Sequence, residues 1–227
     1  MPALQRCISK TSPFRRLFAS AGFAFALLAS LPVAAQRTYE SRELYMLPVY
    51  CRYTQDFNIK VPGGNDPAEK QRWAALMGPT FIHMHHYCWG LMASNRAAFF
   101  SDTRQDRLHN LGVSITEFDY VIQRSPQDFS MLPEILTKKG ESLIGLDRAG
   151  EAMLEFQHAI KLKAGYGPAY AAMSDYYKET GQLARAREWL EKGLAAAPDA
   201  KVLKQRLAEL DAPRGKRKND LRPPAER

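Results

Sequence analysis

The feature that most constrains the fold is a pattern with a period of 34 residues toward the C-terminal end of the chain. Windows 133–166 and 167–200 place small side chains at positions 8 and 20 and a bulky apolar side chain at position 24. These residues are Gly140, Ala152 and Phe156 in the first window, and Ser174, Ala186 and Leu190 in the second. The pattern predicts stacked helical hairpins, because small residues let two helices approach closely while bulky residues fill the gap to the neighbouring pair.

An irregular unit precedes these two windows. Residues 114–126 fit the second half of the pattern, with Phe118 at position 24, and the first half places Gly90 at position 8. The apolar residues between 108 and 122 keep helical spacing, which predicts one lengthened second helix over about residues 102–124, capped by Ser101 or Asp102. Residues 200–210 carry an apolar stripe and predict a closing helix at the end of the stack.

This pattern resembles the tetratricopeptide repeat (TPR). The resemblance implies an all-α fold, a TPR-type helical-hairpin solenoid over residues 80–210 with two clear repeats, one irregular upstream repeat and a C-terminal capping helix. It also implies a non-catalytic scaffold that holds a protein or peptide partner in a concave groove. The family places this groove at positions 2, 5, 9, 12 and 13 of each first helix. The resulting partner-binding candidates are Tyr87, Leu91, Asn95, Thr137, Glu141, Ile144, Asp175 and Lys178.

The N-terminus has the organisation of a secretory signal peptide. Residues 1–16 are basic and free of acidic residues, residues 17–35 carry no charge, and Val33-Ala34-Ala35 offers small residues before Gln36. We therefore expect residues 1–35 to be a signal peptide, the mature chain to begin at Gln36, and the protein to be periplasmic or secreted. The alternative is a retained anchor, since this apolar stretch is long enough to span a bilayer. Cleavage would leave no stable membrane span.

Residues 36–79 form an N-terminal segment in which one helix is predicted. Asp66-Pro67 is typical of a helix start, and Gly78-Pro79 of its end. Cleavage of the signal would leave Cys51 and Cys88, which are predicted to form a disulfide in an oxidising compartment. Two buried free thiols are the alternative.

The net charge of +8 belongs to the two ends of the chain. Residues 36–210 contain 22 Lys and Arg against 21 Asp and Glu, so the body lacks the positive surface of a nucleic-acid-binding protein. Residues 211–227 are basic and contain proline, which predicts a disordered tail.

The segment His83–Cys88 is the densest group of reactive side chains. Its three histidines and one cysteine suggest, as an alternative function, a periplasmic metal- or redox-dependent protein. No H-E-x-x-H, C-x-x-C or second histidine cluster supplies the remaining ligands, and no nucleotide-binding or serine-hydrolase motif is present. We therefore expect no catalytic residue, metal or cofactor, and an exported adaptor that acts in assembly of a cell-envelope complex.

Overall fold

The computed structural model describes residues 39–212. The predicted signal peptide and residues 213–227 of the predicted tail lie outside the described residues. In the N-terminal segment the structure has a short helix α1 (Ser41–Leu44), a 3₁₀ helix (Val49–Tyr53), α2 (Pro67–Met77) and a second 3₁₀ helix (Gly78–His83). The segment is thus more structured than the single helix expected from its sequence.

Helix α2 begins and ends where the sequence predicts. The Asp66 carboxylate accepts a hydrogen bond from the Ala68 amide at 2.8 Å, which satisfies a donor that the helix itself leaves free. Gly78 follows the last residue with a φ of +61°, a left-handed conformation that glycine adopts without strain.

Residues 84–211 form three helical hairpins followed by a closing helix. The helices are α3 (Met84–Phe99), α4 (Arg104–Arg124), α5 (Leu132–Gly145), α6 (Ala149–Leu162), α7 (Gly167–Glu179), α8 (Leu183–Ala196) and α9 (Lys201–Asp211). Helix α3 pairs with α4, α5 with α6 and α7 with α8, and α5 also packs against α3 and α7. No strand occurs in residues 39–212. The predicted all-α helical-hairpin solenoid is confirmed.

Small residues on the first helix of a hairpin make room for an aromatic ring on the second. A Cβ atom at Gly90 would lie 2.5 Å from Cε1 of Phe118, and one at Gly140 would lie 2.4 Å from Cε1 of Phe156. Both rings are fully buried. Positions 8 and 24 of the repeat therefore meet within one hairpin.

The lengthened second helix is confirmed, but its predicted cap is wrong. Helix α4 begins at Arg104, and the Thr103 hydroxyl accepts a hydrogen bond from the Asp106 amide at 3.0 Å. Thr103 has the extended backbone of an N-cap residue. The Ser101 hydroxyl instead donates to the Arg96 carbonyl in the last turn of α3, at 3.0 Å.

The N-terminal segment is fastened to α3, the first helix of the stack. The predicted disulfide between Cys51 and Cys88 is present, with Cα atoms 5.7 Å apart. The rings of Phe57 and Trp89 lie 4.8 Å apart, and Arg96 forms an ion pair with Glu43. The segment thereby covers apolar surface that the first helix of a repeat array would otherwise expose.

Helix α9 closes the other end of the stack. It packs against α7 and α8, and Leu203 is its fully buried contact. The closing helix predicted over residues 200–210 is therefore confirmed within one residue at each end.

Candidate functional site

The first helices of the three hairpins bring the predicted groove positions to neighbouring surfaces. Helices α3, α5 and α7 lie side by side, and residues three, four or seven apart share a face of each helix. We call this surface the groove face. It consists of Met84, Tyr87, Leu91, Ser94 and Asn95 on α3, of Glu134, Thr137, Glu141, Ile144 and Gly145 on α5, and of Pro168, Ala171, Asp175, Lys178 and Glu179 on α7.

Two of the predicted partner contacts are not accessible. Tyr87 is 0% exposed and Thr137 is 2% exposed. The Thr137 hydroxyl donates to the Pro133 carbonyl at 2.8 Å, inside its own helix. Tyr87 and Thr137 are predicted partner contacts, but in the structure both side chains belong to the core.

Five predicted contacts do reach the surface. Glu141 is exposed, and its carboxylate lies 2.7 Å from the ammonium of Lys138. Leu91, Asn95, Ile144 and Lys178 are half-buried. This set offers apolar, amide and charged groups on one face, which is the mixture that a protein interface uses.

Asp175 is already bound within the chain. The Arg206 guanidinium of α9 donates to its carboxylate at 3.0 Å. Burial raises the pKa of the Asp175 carboxyl, and the positive charge of Arg206 opposes that rise. Asp175 is predicted to contact a partner, and in the structure its carboxylate contacts the closing helix.

Three tyrosines surround Glu134 at one end of the groove face. The Tyr87 hydroxyl donates to Oε1 of Glu134 at 2.6 Å. Tyr50 comes directly before Cys51 and Tyr87 directly before Cys88, so the disulfide holds the two tyrosines close together. Burial raises the pKa of the Tyr50 and Tyr166 hydroxyls, and the nearby Glu134 carboxylate raises both further.

Sequence reasoning missed this tyrosine–carboxylate cluster, although two signals were available. Glu134 occupies position 2 of its repeat, one of the groove positions. The predicted disulfide already implied that the residues preceding the two cysteines, Tyr50 and Tyr87, are neighbours.

The histidines of the segment 83–88 are engaged in packing and hydrogen bonds. Nδ1 of His86 lies 2.6 Å from Oε2 of Glu117, and its ring stacks on Tyr120 with centroids 3.5 Å apart. Nδ1 of His85 donates to the Ile82 carbonyl at 3.0 Å, and Cys88 is in the disulfide. Among the described residues no group of three or more His, Cys, Asp or Glu side chains is placed to hold a metal ion.

A family model of the tetratricopeptide repeat matches residues 167–200, which contain α7 and α8. Residues 167–200 of the chain form a tetratricopeptide repeat. The matched segment has the same limits as the second 34-residue window of the sequence. TPR folds typically serve as non-catalytic scaffolds that engage protein partners on an extended surface.

Two curated relatives contain a similar segment. Protein O-mannosyl-transferase TMTC1 of Homo sapiens is 28% identical over 98 residues, which is 43% of this chain and 11% of that protein. Protein O-mannosyl-transferase TMTC1 of Mus musculus is 27% identical over 100 residues, which is 44% of this chain and 11% of that protein. The TPR chain thus spans about a tenth of the length of these relatives.

Within residues 39–212, no helix has both the length and the apolar composition to cross a bilayer.

Proposed function

We propose that this TPR protein is an exported, non-catalytic adaptor that binds a protein or peptide partner on its groove face during assembly of a cell-envelope complex. The observation that carries the proposal is the set of groove-face side chains that the core leaves available. Leu91, Asn95, Ile144 and Lys178 are half-buried, and Glu141 is exposed. Side chains that are partly ordered by packing lose less conformational freedom when a partner binds.

Export is supported by the sequence of residues 1–35 and by the disulfide. A basic start, an uncharged stretch and small residues before Gln36 are typical of a secretory signal. The Cys51–Cys88 disulfide fits an oxidising compartment, where such bonds form and persist. The O-mannosyl transfer named for the relatives is not part of the proposal, because the similar segment is 11% of those proteins.

The proposal is tested by exchanging two charges on the groove face. The double variant Glu141→Lys, Lys178→Glu keeps the net charge of the chain and changes no fully buried residue. We expect it to keep its helical content and to lose at least about tenfold in capture of the native partner from envelope extracts, because charge complementarity at an interface is reversed.

The matched control exchanges an exposed ion pair on α8. Glu188 and Lys192 lie 2.7 Å apart, outside the groove face. The double variant Glu188→Lys, Lys192→Glu should capture the partner as well as the native chain does. If both double variants capture the partner as well as the native chain does, the partner binds elsewhere on the molecule.

A further inference from the structure

One buried polar group in the TPR chain has no hydrogen-bond partner. Tyr50 is 8% exposed, and among the described residues its hydroxyl is the only buried side-chain nitrogen or oxygen without a partner. A buried hydroxyl without a hydrogen bond destabilises the fold, so such a group needs an explanation.

The unpartnered Tyr50 hydroxyl lies close to hydrogen-bond acceptors on the groove face. Its neighbours are the Tyr87 hydroxyl and the Glu134 carboxylate, which are joined by the 2.6 Å hydrogen bond. Within residues 39–212, Glu134 forms no ion pair, and its Oε2 atom receives no hydrogen bond from the chain. Glu134 is half-buried, which leaves part of its side chain open to a ligand.

The nearest basic residues along α5 are already paired. Lys138 binds Glu141, and Lys139 lies 2.7 Å from both Asp119 and Glu155. The negative charge of Glu134 is therefore not neutralised by its own helix.

We propose that Glu134, whose carboxylate is held from the core side by the buried Tyr87 hydroxyl, binds the cationic side chain of an arginine or lysine in the partner segment. The chemistry of the site favours a cation. Guanidinium and ammonium groups carry only hydrogen-bond donors, whereas the accessible group of this site is a carboxylate, which only accepts. The half-buried ring of Tyr166 adds an aromatic surface close to Glu134, which attracts a cation. An anionic ligand would be repelled by Glu134. This inference rests on the proposed function, since it names the chemistry of the partner that the groove face holds.

The first experiment measures binding of small probes by NMR. N-acetyl-arginine amide or N-acetyl-lysine amide is titrated into the full chain with labelled tyrosine rings, with N-acetyl-norleucine amide as the uncharged probe. We expect the signals of Tyr50 and Tyr166 to shift with one or both cationic probes and not with norleucine. Equal shifts with all three probes, or none, would overturn the proposal.

Two isosteric variants separate binding from folding. Glu134→Gln keeps an oxygen for the Tyr87 hydroxyl and removes the charge, and should weaken binding of the cationic probe by at least about tenfold. Tyr50→Phe removes a buried hydroxyl that has no partner, so its melting temperature should be equal to or higher than that of the native chain, and its affinity for the probe should change less than that of Glu134→Gln. Unchanged affinity in both variants would show that the cluster binds no cation.

The control is Glu188→Gln, which removes a carboxylate on α8 and should leave probe binding unchanged. A chain ending at Ala212 tests whether the basic residues 213–227 occupy the site instead of an external partner. Equal affinity in the truncated and full chains supports the external partner. An affinity at least about tenfold higher after truncation would assign the site to the tail and overturn the proposal.

Partner capture distinguishes the two proposals. If the groove charge exchange abolishes capture but Glu134→Gln does not, the cation site is wrong and the adaptor function stands. If the charge exchange leaves capture intact, the adaptor proposal itself fails.

Discussion

At the scale of single residues, the hairpin glycines with the least room for an added Cβ atom are those that face an aromatic ring. Gly140 lies under the fully buried ring of Phe156, and Gly90 lies in the same way under Phe118. Because the interior is close-packed, even one added methyl group has to displace a neighbour at such a place.

We expect Gly140→Ala to lower the free energy of unfolding by about 1–3 kcal/mol, because the new Cβ would lie 2.4 Å from Phe156. The matched control is Gly112→Ala in α4, where a Cβ would meet nothing within 4 Å. Since alanine is the better helix former, the control should raise the free energy by about 0.5–1 kcal/mol. Chemical denaturation measures both, and a Gly140→Ala variant as stable as Gly112→Ala would contradict the packing described here.

These contacts between single residues could be predicted from the sequence. The burial of Tyr87 on the groove face could not. The repeat register is a local pattern, so the pairing of Gly140 with Phe156 follows from their positions in one 34-residue window. Tyr87 packs against Phe118 of α4 and donates to Glu134 of α5, and the disulfide holds a segment more than thirty residues earlier against α3 beside it. The repeat positions alone contain no information about that segment.

At the scale of elements, the closing helix α9 is held by one buried side chain and two ion pairs to the last hairpin. Leu203 is fully buried, Arg206 binds Asp175 on α7, and Arg187 on α8 binds Asp211. Ion pairs as exposed as that of Arg187 and Asp211 contribute little to stability. The buried contact of Leu203 therefore contributes most to the attachment of α9. The existence of α9 was predictable from its apolar stripe, but its ion pair with Asp175 was not, because it joins residues of two different elements.

We expect Leu203→Ala to lower the free energy of unfolding by about 2–5 kcal/mol, since it leaves a cavity between α9 and the last hairpin. Leu207→Ala, at a half-buried position of the same helix, should cost less. Hydrogen exchange should show that the loss of protection in Leu203→Ala is largest in α8 and α9. Equal effects of the two variants on stability would mean that α9 is attached by a different face.

At the scale of the whole molecule, one buried and one partly buried histidine make the stability of the fold depend on pH. Burial, together with the charge of His86, lowers the pKa of His85 below its ordinary 6.5. Burial, Arg124 and His86 lower the pKa of His83 in the same way. The folded chain therefore binds fewer protons than the unfolded chain just below pH 6.5, and the stability that these groups contribute above that pH is lost as the pH falls.

We expect the melting temperature to fall between about pH 7.5 and about pH 5.5, a range that brackets the ordinary pKa of histidine. The double variant His83→Gln, His85→Gln should show a smaller fall over the same range, because it no longer gains protons on unfolding at these positions. Differential scanning calorimetry at the two pH values provides the measurement. An identical fall in the native chain and the variant would assign the pH dependence to other groups.

The disulfide also decides how this molecule responds to mechanical load. Cys51 and Cys88 are 37 positions apart, and an extended chain adds about 3.3–3.6 Å per residue. As long as the bond is intact, roughly 120 Å of chain cannot be drawn out by a pull on the two ends. Force applied to the oxidised chain can therefore extend the residues before Cys51 and those after Cys88, which include most of α3. The loop from Cys51 to Cys88, which holds α2 and the start of α3, stays closed. In the reduced chain the same pull can extend that loop as well, so reduction turns a fixed end of the solenoid into an extensible one.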